Sequence, residues 1–158
     1  MQVRELMTRN IHVCLPSDTL DRAARIMWDH DLGVVPIVDR AHRLLGIVTD
    51  RDACMAAYTQ NKRLCEIATQ DVMSRMIFAV HPEDPLARAL ESMRQAQVRR
   101  IPVIDEDETL VGILTQNDLI REANRELRRG NREFADEILQ ALSAVSSPRT
   151  GSFATAAQ

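Results

Sequence analysis

The stretch Gly46-Ile47-Val48-Thr49-Asp50-Arg51-Asp52 returns 66 positions later as Gly112-Ile113-Leu114-Thr115-Gln116-Asn117-Asp118, and its reading decides the fold. Working outward, the same offset aligns Met7 to Ala57 with Met73 to Ala123 without a gap, and 17 of the 51 pairs are identical. Met7 returns as Met73, Pro16 as Pro82, Asp18 as Asp84, Met27 as Met93 and Pro36 as Pro102. So many coincidences at one spacing identify an internal duplication. A unit of about 55 residues is too small to bury a strong core alone, so two copies are expected to stack as one body with the working cleft between them.

Within each unit the periodicity changes in a fixed order. Ile11 to Leu15 reads as a brief strand, and Pro16, Ser17 and Asp18 then supply turn and cap chemistry. Leu20, Ala23, Ala24 and Met27 recur at helical spacing, as do Leu86, Ala89, Leu90 and Met93. Val34 to Val38 and Leu45 to Thr49 flank a polar turn and read as a hairpin. A helix begins at Asp50 or Arg51 and runs to about Thr59, and its counterpart runs from Gln116 towards Arg129.

The expected fold is therefore α/β: two βαββα repeats, residues 1–60 and 61–128, stacked with pseudo-twofold symmetry. A C-terminal helix over 129–145 and a mobile tail over 146–158, rich in Ser, Thr, Ala and Gly, follow. In that helix Phe134, Ile138, Ala141, Leu142 and Val145 form one apolar stripe, which must cover either its own domain or another chain. Arg121, Arg125, Arg128, Arg129 and Arg132 alternate with Glu122, Glu126 and Glu133 and read as a solvated helix face.

Composition narrows the function classes. With 45% hydrophobic and 27% charged residues and no window near the roughly 18 apolar residues of a membrane span, no membrane partner is expected. The start carries no basic segment leading into an apolar stretch, so a cytoplasmic location is expected. Cys14, Cys54 and Cys65 are odd in number and lack paired spacing, which suits reduced thiols. A net charge of −3 and 3% aromatic residues speak against nucleic acid as a partner. His12, His30, His42 and His81 are scattered, and no Ser, His and acid constellation is readable, so neither a metal site nor catalysis is expected.

The chemistry sits where the third strand of each unit meets a helix. Such a junction presents unpaired backbone amides and the positive end of the helix dipole, both suited to phosphate. The hydroxyl of Thr49 or Thr115 adds a donor, and the carboxylate of Asp52 or Asp118 three residues later can accept both hydroxyls of a ribose. Thr and Asp are also ordinary cap residues, but their recurrence in register beside the same hairpin favours a nucleotide site.

These residues carry a resemblance. The Pro-Val/Ile-Ile/Val-Asp strand, the Gly-Ile-Val/Leu-Thr strand and the closing Thr-x-x-Asp resemble the cystathionine-β-synthase (CBS) domain over residues 3 to 125. Two in tandem resemble a Bateman module. The resemblance implies a stand-alone regulatory module that binds AMP, ADP, ATP or S-adenosylmethionine without a required cofactor, pairs into a homodimer and signals to a protein partner. It implies that Asp52 and Asp118 hold ribose, that Thr49 and Thr115 lie at phosphate, and that Ile11, Ile77, Val35 and Ile101 wall the adenine. It also implies that Arg99 and Arg100 reach the phosphate of the Asp52 site, with Arg51 beside them. Their counterparts Gly33 and Val34 are uncharged, so the Asp118 site is expected to be weak, empty, or suited to a ligand of little negative charge. The C-terminal helix around Phe134 and Ile138 is the expected output surface. The alternative is a scaffolding module with this fold and no ligand; a DNA-associated regulator acting through the arginines of 121–132 ranks last.

Overall fold

The structure, a computed structural model, describes residues 1–146; the tail expected over 146–158 lies, from residue 147, outside the described residues. In chain order the elements are α1 (Leu20–Asp29), β1 (Val34–Val38), β2 (Leu44–Thr49), α2 (Asp50–Gln60), α3 (Leu86–Ala96), β3 (Arg100–Ile104), β4 (Leu110–Thr115), α4 (Gln116–Arg129) and α5 (Arg132–Ser146). The β1–β2 and β3–β4 hairpins are antiparallel and share one register: Val34 faces Thr49 as Arg100 faces Thr115, and Ile37 faces Gly46 as Val103 faces Gly112. Both carry an irregularity one residue later, so the duplication extends to the bulge.

The first strand of each repeat contracts to a single parallel bridge, Cys14 with Ile37 and Val80 with Val103. Prolines set that limit. The N–H of Cys14 donates to Pro36 O (3.0 Å), and that of Val38 donates to Cys14 O (2.9 Å). Continuing the ladder in either direction would need an N–H from Pro16 or Pro36, and proline has none. Pro82 and Pro102 close the second copy in the same way.

The opening segment of each repeat packs on the other repeat. The N–H groups of Val3 and Arg4 donate to Asp84 O and Pro82 O, and those of Thr69 and Gln70 donate to Asp18 O and Pro16 O. Accordingly Val3 and Met7 are buried in one core with Leu86, Met93, Ile101 and Leu114, while Ile67 and Met73 are buried in the other with Leu20, Met27, Val35 and Val48. Neither core is built from one continuous stretch of chain. Leu44 N–H to Glu108 O (3.1 Å) and Leu110 N–H to His42 O (3.0 Å) join the hairpin turns reciprocally, placing the pseudo-twofold axis between Arg43 and Thr109.

Gly130, at φ 84°, ends α4 and turns the chain into α5. Ala135, Ile138, Leu142 and Val145 of α5 are buried in the second repeat's core with Leu90, Leu119 and Ala123 of α3 and α4. The stripe is thus spent within the chain, which removes the Ile138 face as an output surface. Sequence explains why only one repeat needs this cover: Leu90 and Leu119 stand where the first repeat has Ala24 and Ala53. The alanines leave an open groove of about 650 Å³ between α1 and α2, edged by Trp28, Leu32 and Leu64.

Cys14 is buried and Cys54 and Cys65 are exposed, all as free thiols. Burial, reinforced by the charge of Asp18, pushes the Cys14 thiol up to about 11, which makes it an inert packing residue. Among the described residues no helix is long and apolar enough to cross a membrane.

Candidate functional site

Thr49 and Thr115 cap α2 and α4, and each forms a reciprocal box with the Asp three residues on. In the first copy, Thr49 N–H (2.9 Å) and Oγ1–H (2.7 Å) both donate to Asp52 Oδ2, and Asp52 N–H returns to Thr49 Oγ1 (3.1 Å). In the second, Thr115 N–H (2.8 Å) and Oγ1–H (2.6 Å) donate to Asp118 Oδ2, and Asp118 N–H returns at 3.3 Å. The capping and ligand readings of these residues are therefore compatible. One carboxylate oxygen holds the helix start, and the other faces away from it, paired with Arg121 in Asp118 and without an ion pair among the described residues in Asp52.

A cleft of about 350 Å³ opens beside Asp118. Its floor and one wall are Ile113, Thr115, Asn117, Asp118 and Arg121 from β4 and α4; the opposite wall is Thr8, Asn10, Ile11 and His12, with Asp31 and, from β1, Val34 and Pro36. Each repeat thus contributes a wall, a consequence of the exchanged opening segments. Thr8 is tied to Ile113 by a pair of backbone hydrogen bonds, both 2.9 Å.

Of the residues expected at a site, Ile11, Arg100, Thr115 and Asp118 line this cleft. Thr49 and Asp52 meet at the related junction on α2, where Arg51 is exposed on the first turn. Ile77 is half-buried at the position equivalent to Ile11, and Arg99 is exposed, its carbonyl accepting from Gln116 N–H (2.9 Å). Val35 and Ile101, expected as adenine walls, are instead fully buried in the two cores. Successive side chains of a strand point to opposite faces, so with Val35 and Ile37 inward it is Val34 and Pro36 that face the cleft.

The charge distribution also differs from expectation. Arg100 lines the Asp118 cleft, and its guanidinium lies over Gly33: a Cβ added there would stand 3.1 Å from Nη2 and 3.4 Å from Asp50 Oδ2. Arg100 therefore stands between the two junctions, its backbone paired with Thr115 and its side chain reaching towards Asp50. Arg121, read from sequence as part of a solvated face, is in the cleft and forms an ion pair with Asp118 Oδ1. The Asp118 cleft thus carries two arginines, Arg100 and Arg121, beside two carboxylates, Asp31 and Asp118. Arg121 was traceable: it stands one helical turn after Asp118, where the first repeat has Met55.

The structure brings together two more residues that sequence left scattered. The rings of His12 and His30 stack at 3.6 Å with 15° between their planes and give the cleft a flat face. The first repeat's Asp52 site has Phe78 and Ala96 at the equivalent positions. Among the described residues no cluster of His, Cys, Asp and Glu could hold a metal ion.

A family model described as CBS domain matches residues 3–58 and 69–125. The CBS domain-containing protein YhcV of Bacillus subtilis is 33% identical over 117 residues, 74% of this chain and 81% of that protein. The chain spans only 62% of a 29%-identical protein of Methanopyrus kandleri and 23% of a homoserine O-acetyltransferase of Methanohalobium evestigatum, also 29% identical. Among solved structures, CBSX2 in complex with AMP superimposes with a TM-score of 0.70 at 28% identity, covering 78% of this chain and 96% of that one. The CBS domain pair of MJ0100, in complex with 5′-methylthioadenosine and S-adenosyl-L-methionine, gives 0.69 at 26% identity, covering 80% and 98%.

Proposed function

The chain belongs to the CBS domain family, and from that premise we propose that it is a regulatory module binding an adenosine nucleotide of the AMP, ADP or ATP class and signalling to a partner protein. The observation that carries this reading is the Asp118 cleft, where the Thr115–Asp118 box and the Arg100 and Arg121 side chains line one cavity between the repeats. The carboxylate suits a ribose diol, and the two guanidinium groups suit phosphate. The likeness to a CBS pair that binds AMP supports the same class. S-adenosylmethionine, bound by the CBS domain pair of MJ0100, is the competing ligand, since Asp31 and Asp118 would face its positive charge as the arginines would face a phosphate. The family is regulatory rather than catalytic.

Thermal unfolding with AMP, ADP, ATP and S-adenosylmethionine tests this. At 100 times the dissociation constant a ligand adds about 2.7 kcal/mol, a rise of about 5–10 °C in Tm. The rise is expected for an adenosine nucleotide and is expected to vanish in Asp118→Ala. No rise with any nucleotide at millimolar concentration refutes the reading in favour of a ligand-free scaffold.

The same reading includes a homodimer that meets through α1 and α2. The corresponding face of the second repeat is occupied by α5, whereas the first presents its groove with Trp28 88% exposed and Tyr58 80% exposed. Large exposed aromatic side chains beside an apolar groove are typical interface anchors. Trp28 is the only tryptophan, so its emission reports on this face directly. On concentration the emission should shift to the blue as the mass measured by light scattering doubles, and Trp28→Glu should remain monomeric. A dimer that survives Trp28→Glu with native stability refutes this interface.

A further inference from the structure

Asp52 and Asp118 make matching bonds through one carboxylate oxygen and differ at the other. Oδ2 of each is held by its own Thr. Oδ1 of Asp118 is taken by the Arg121 guanidinium, whereas Asp52 has no ion pair among the described residues, and the residue one turn along is Met55. The Asp118 side chain is 6% exposed and that of Arg121 is 64% exposed. The carboxylate is therefore fixed in the cleft, and its cation is free to swing away into water without disturbing packing.

We infer that Arg121 is a latch on the Asp118 cleft and sets its preference for phosphorylated ligands. The inference rests on the reading that this carboxylate takes ribose hydroxyls. A diol that takes Oδ1 displaces the guanidinium, an exchange of an ion pair, in which both partners are charged, for hydrogen bonds in which only the carboxylate is, and this costs affinity. A ligand phosphate returns that loss, because the released Arg121 and the neighbouring Arg100 both line the same cleft and acquire an anion to bind. A neutral nucleoside breaks the pair and gives the arginine nothing back. The cleft thus discriminates AMP from adenosine twice over, by attraction of the phosphate and by penalty on its absence. The Asp52 junction, without a latch, lacks the second discrimination.

Arg121→Met installs the first repeat's residue at an exposed position, so the fold is retained. Calorimetric titration in an Asp52→Ala background isolates the Asp118 cleft, with adenosine, AMP and 2′,3′-dideoxyadenosine as ligands. With Arg121 present, AMP binds and adenosine binds weakly. In the Arg121→Met variant, adenosine should tighten by roughly tenfold, dideoxyadenosine should not, and the AMP-to-adenosine ratio should fall by roughly tenfold or more. Adenosine affinity unchanged by Arg121→Met while AMP still binds overturns the latch and leaves the nucleotide reading standing. An equal gain for dideoxyadenosine also overturns the latch, since the diol would not be the competitor. No binding of any of the three to either protein overturns the nucleotide reading of this cleft, and the latch with it.

Discussion

Ile138→Ala should destabilise the chain by about 2–5 kcal/mol, lowering its Tm by about 5–15 °C. The size follows from where the side chain sits. Ile138 is fully buried at the centre of the α5 stripe, between Ala135 and Leu142, against the core that holds Leu90, Leu119 and Ala123. Truncation removes apolar area from a filled site and leaves a cavity that α5 closes only by shifting along its whole length. Leu139→Ala is the control, because Leu139 is one residue away and 42% exposed, and its loss should stay within about 0.5 kcal/mol. Chemical denaturation of the two variants measures the difference. Equal stabilities would mean that α5 does not sit on α3 and α4. The cavity should also be confined to the second repeat's core, since no residue of α5 is part of the first repeat's. The consequence is that α5 is an integral part of the second repeat's core rather than a free appendage.

Much of this was legible in the sequence, and the parts that were not have a common physical cause. The 66-residue offset, the hairpins and the helix starts at Thr49 and Thr115 follow from periodicity and cap chemistry, both local signals. The exchange of Val3 and Met7 with Ile67 and Met73 between cores leaves no trace, because a duplicated pattern is the same whether each arm packs on its own repeat or on the other. The β1 residues that face the cleft lie one position away from the expected Val35, because Val34 to Val38 is apolar throughout and buried along its length, so no alternation marked which side faced it. The shortened first strands were readable from Pro16 and Pro36 once the bridge register was known, but register is a tertiary fact. Arg121 was hidden among the alternating arginines and glutamates of residues 121–133. On α4 the pairs Arg125–Glu122 and Arg129–Glu126 do form the expected ladder. Only the first rung, at Asp118, faces the cleft.

Gly46→Ala should destabilise the chain by about 1–3 kcal/mol, and more than Gly112→Ala does. Both glycines face the methionine of the other repeat's opening segment: Gly46 meets Met73, and Gly112 meets Met7. A Cβ on Gly46 would lie 2.7 Å from Met73 Cγ and 2.9 Å from its Cβ, so rotating the end of the side chain does not relieve the clash. The backbone cannot retreat either, since Ser74 N–H donates to Ile47 O (2.9 Å) and Ile47 N–H donates to Ser74 O (3.1 Å) immediately beside it. At Gly112 the corresponding distances are 3.0 Å to Met7 Cγ and 3.3 Å to its Cβ, with the flexible Sδ at 2.5 Å, so most of that clash is relieved by one rotamer change. Combining Gly46→Ala with Met73→Ala makes room for the new methyl group, so the double variant should be less destabilised than the sum of the two single changes by about 1 kcal/mol or more. Strict additivity in denaturant unfolding would show that Met73 does not pack against Gly46, and with it that the opening segments are not exchanged. Because Thr8, next to Met7, lines the Asp118 cleft, whatever shift of Met7 the rotamer change leaves in Gly112→Ala should weaken nucleotide binding more than its small loss of stability implies. The glycines therefore connect folding to function: each lets one repeat's arm close over the other's hairpin, and that closure makes a two-walled cleft from a duplicated half.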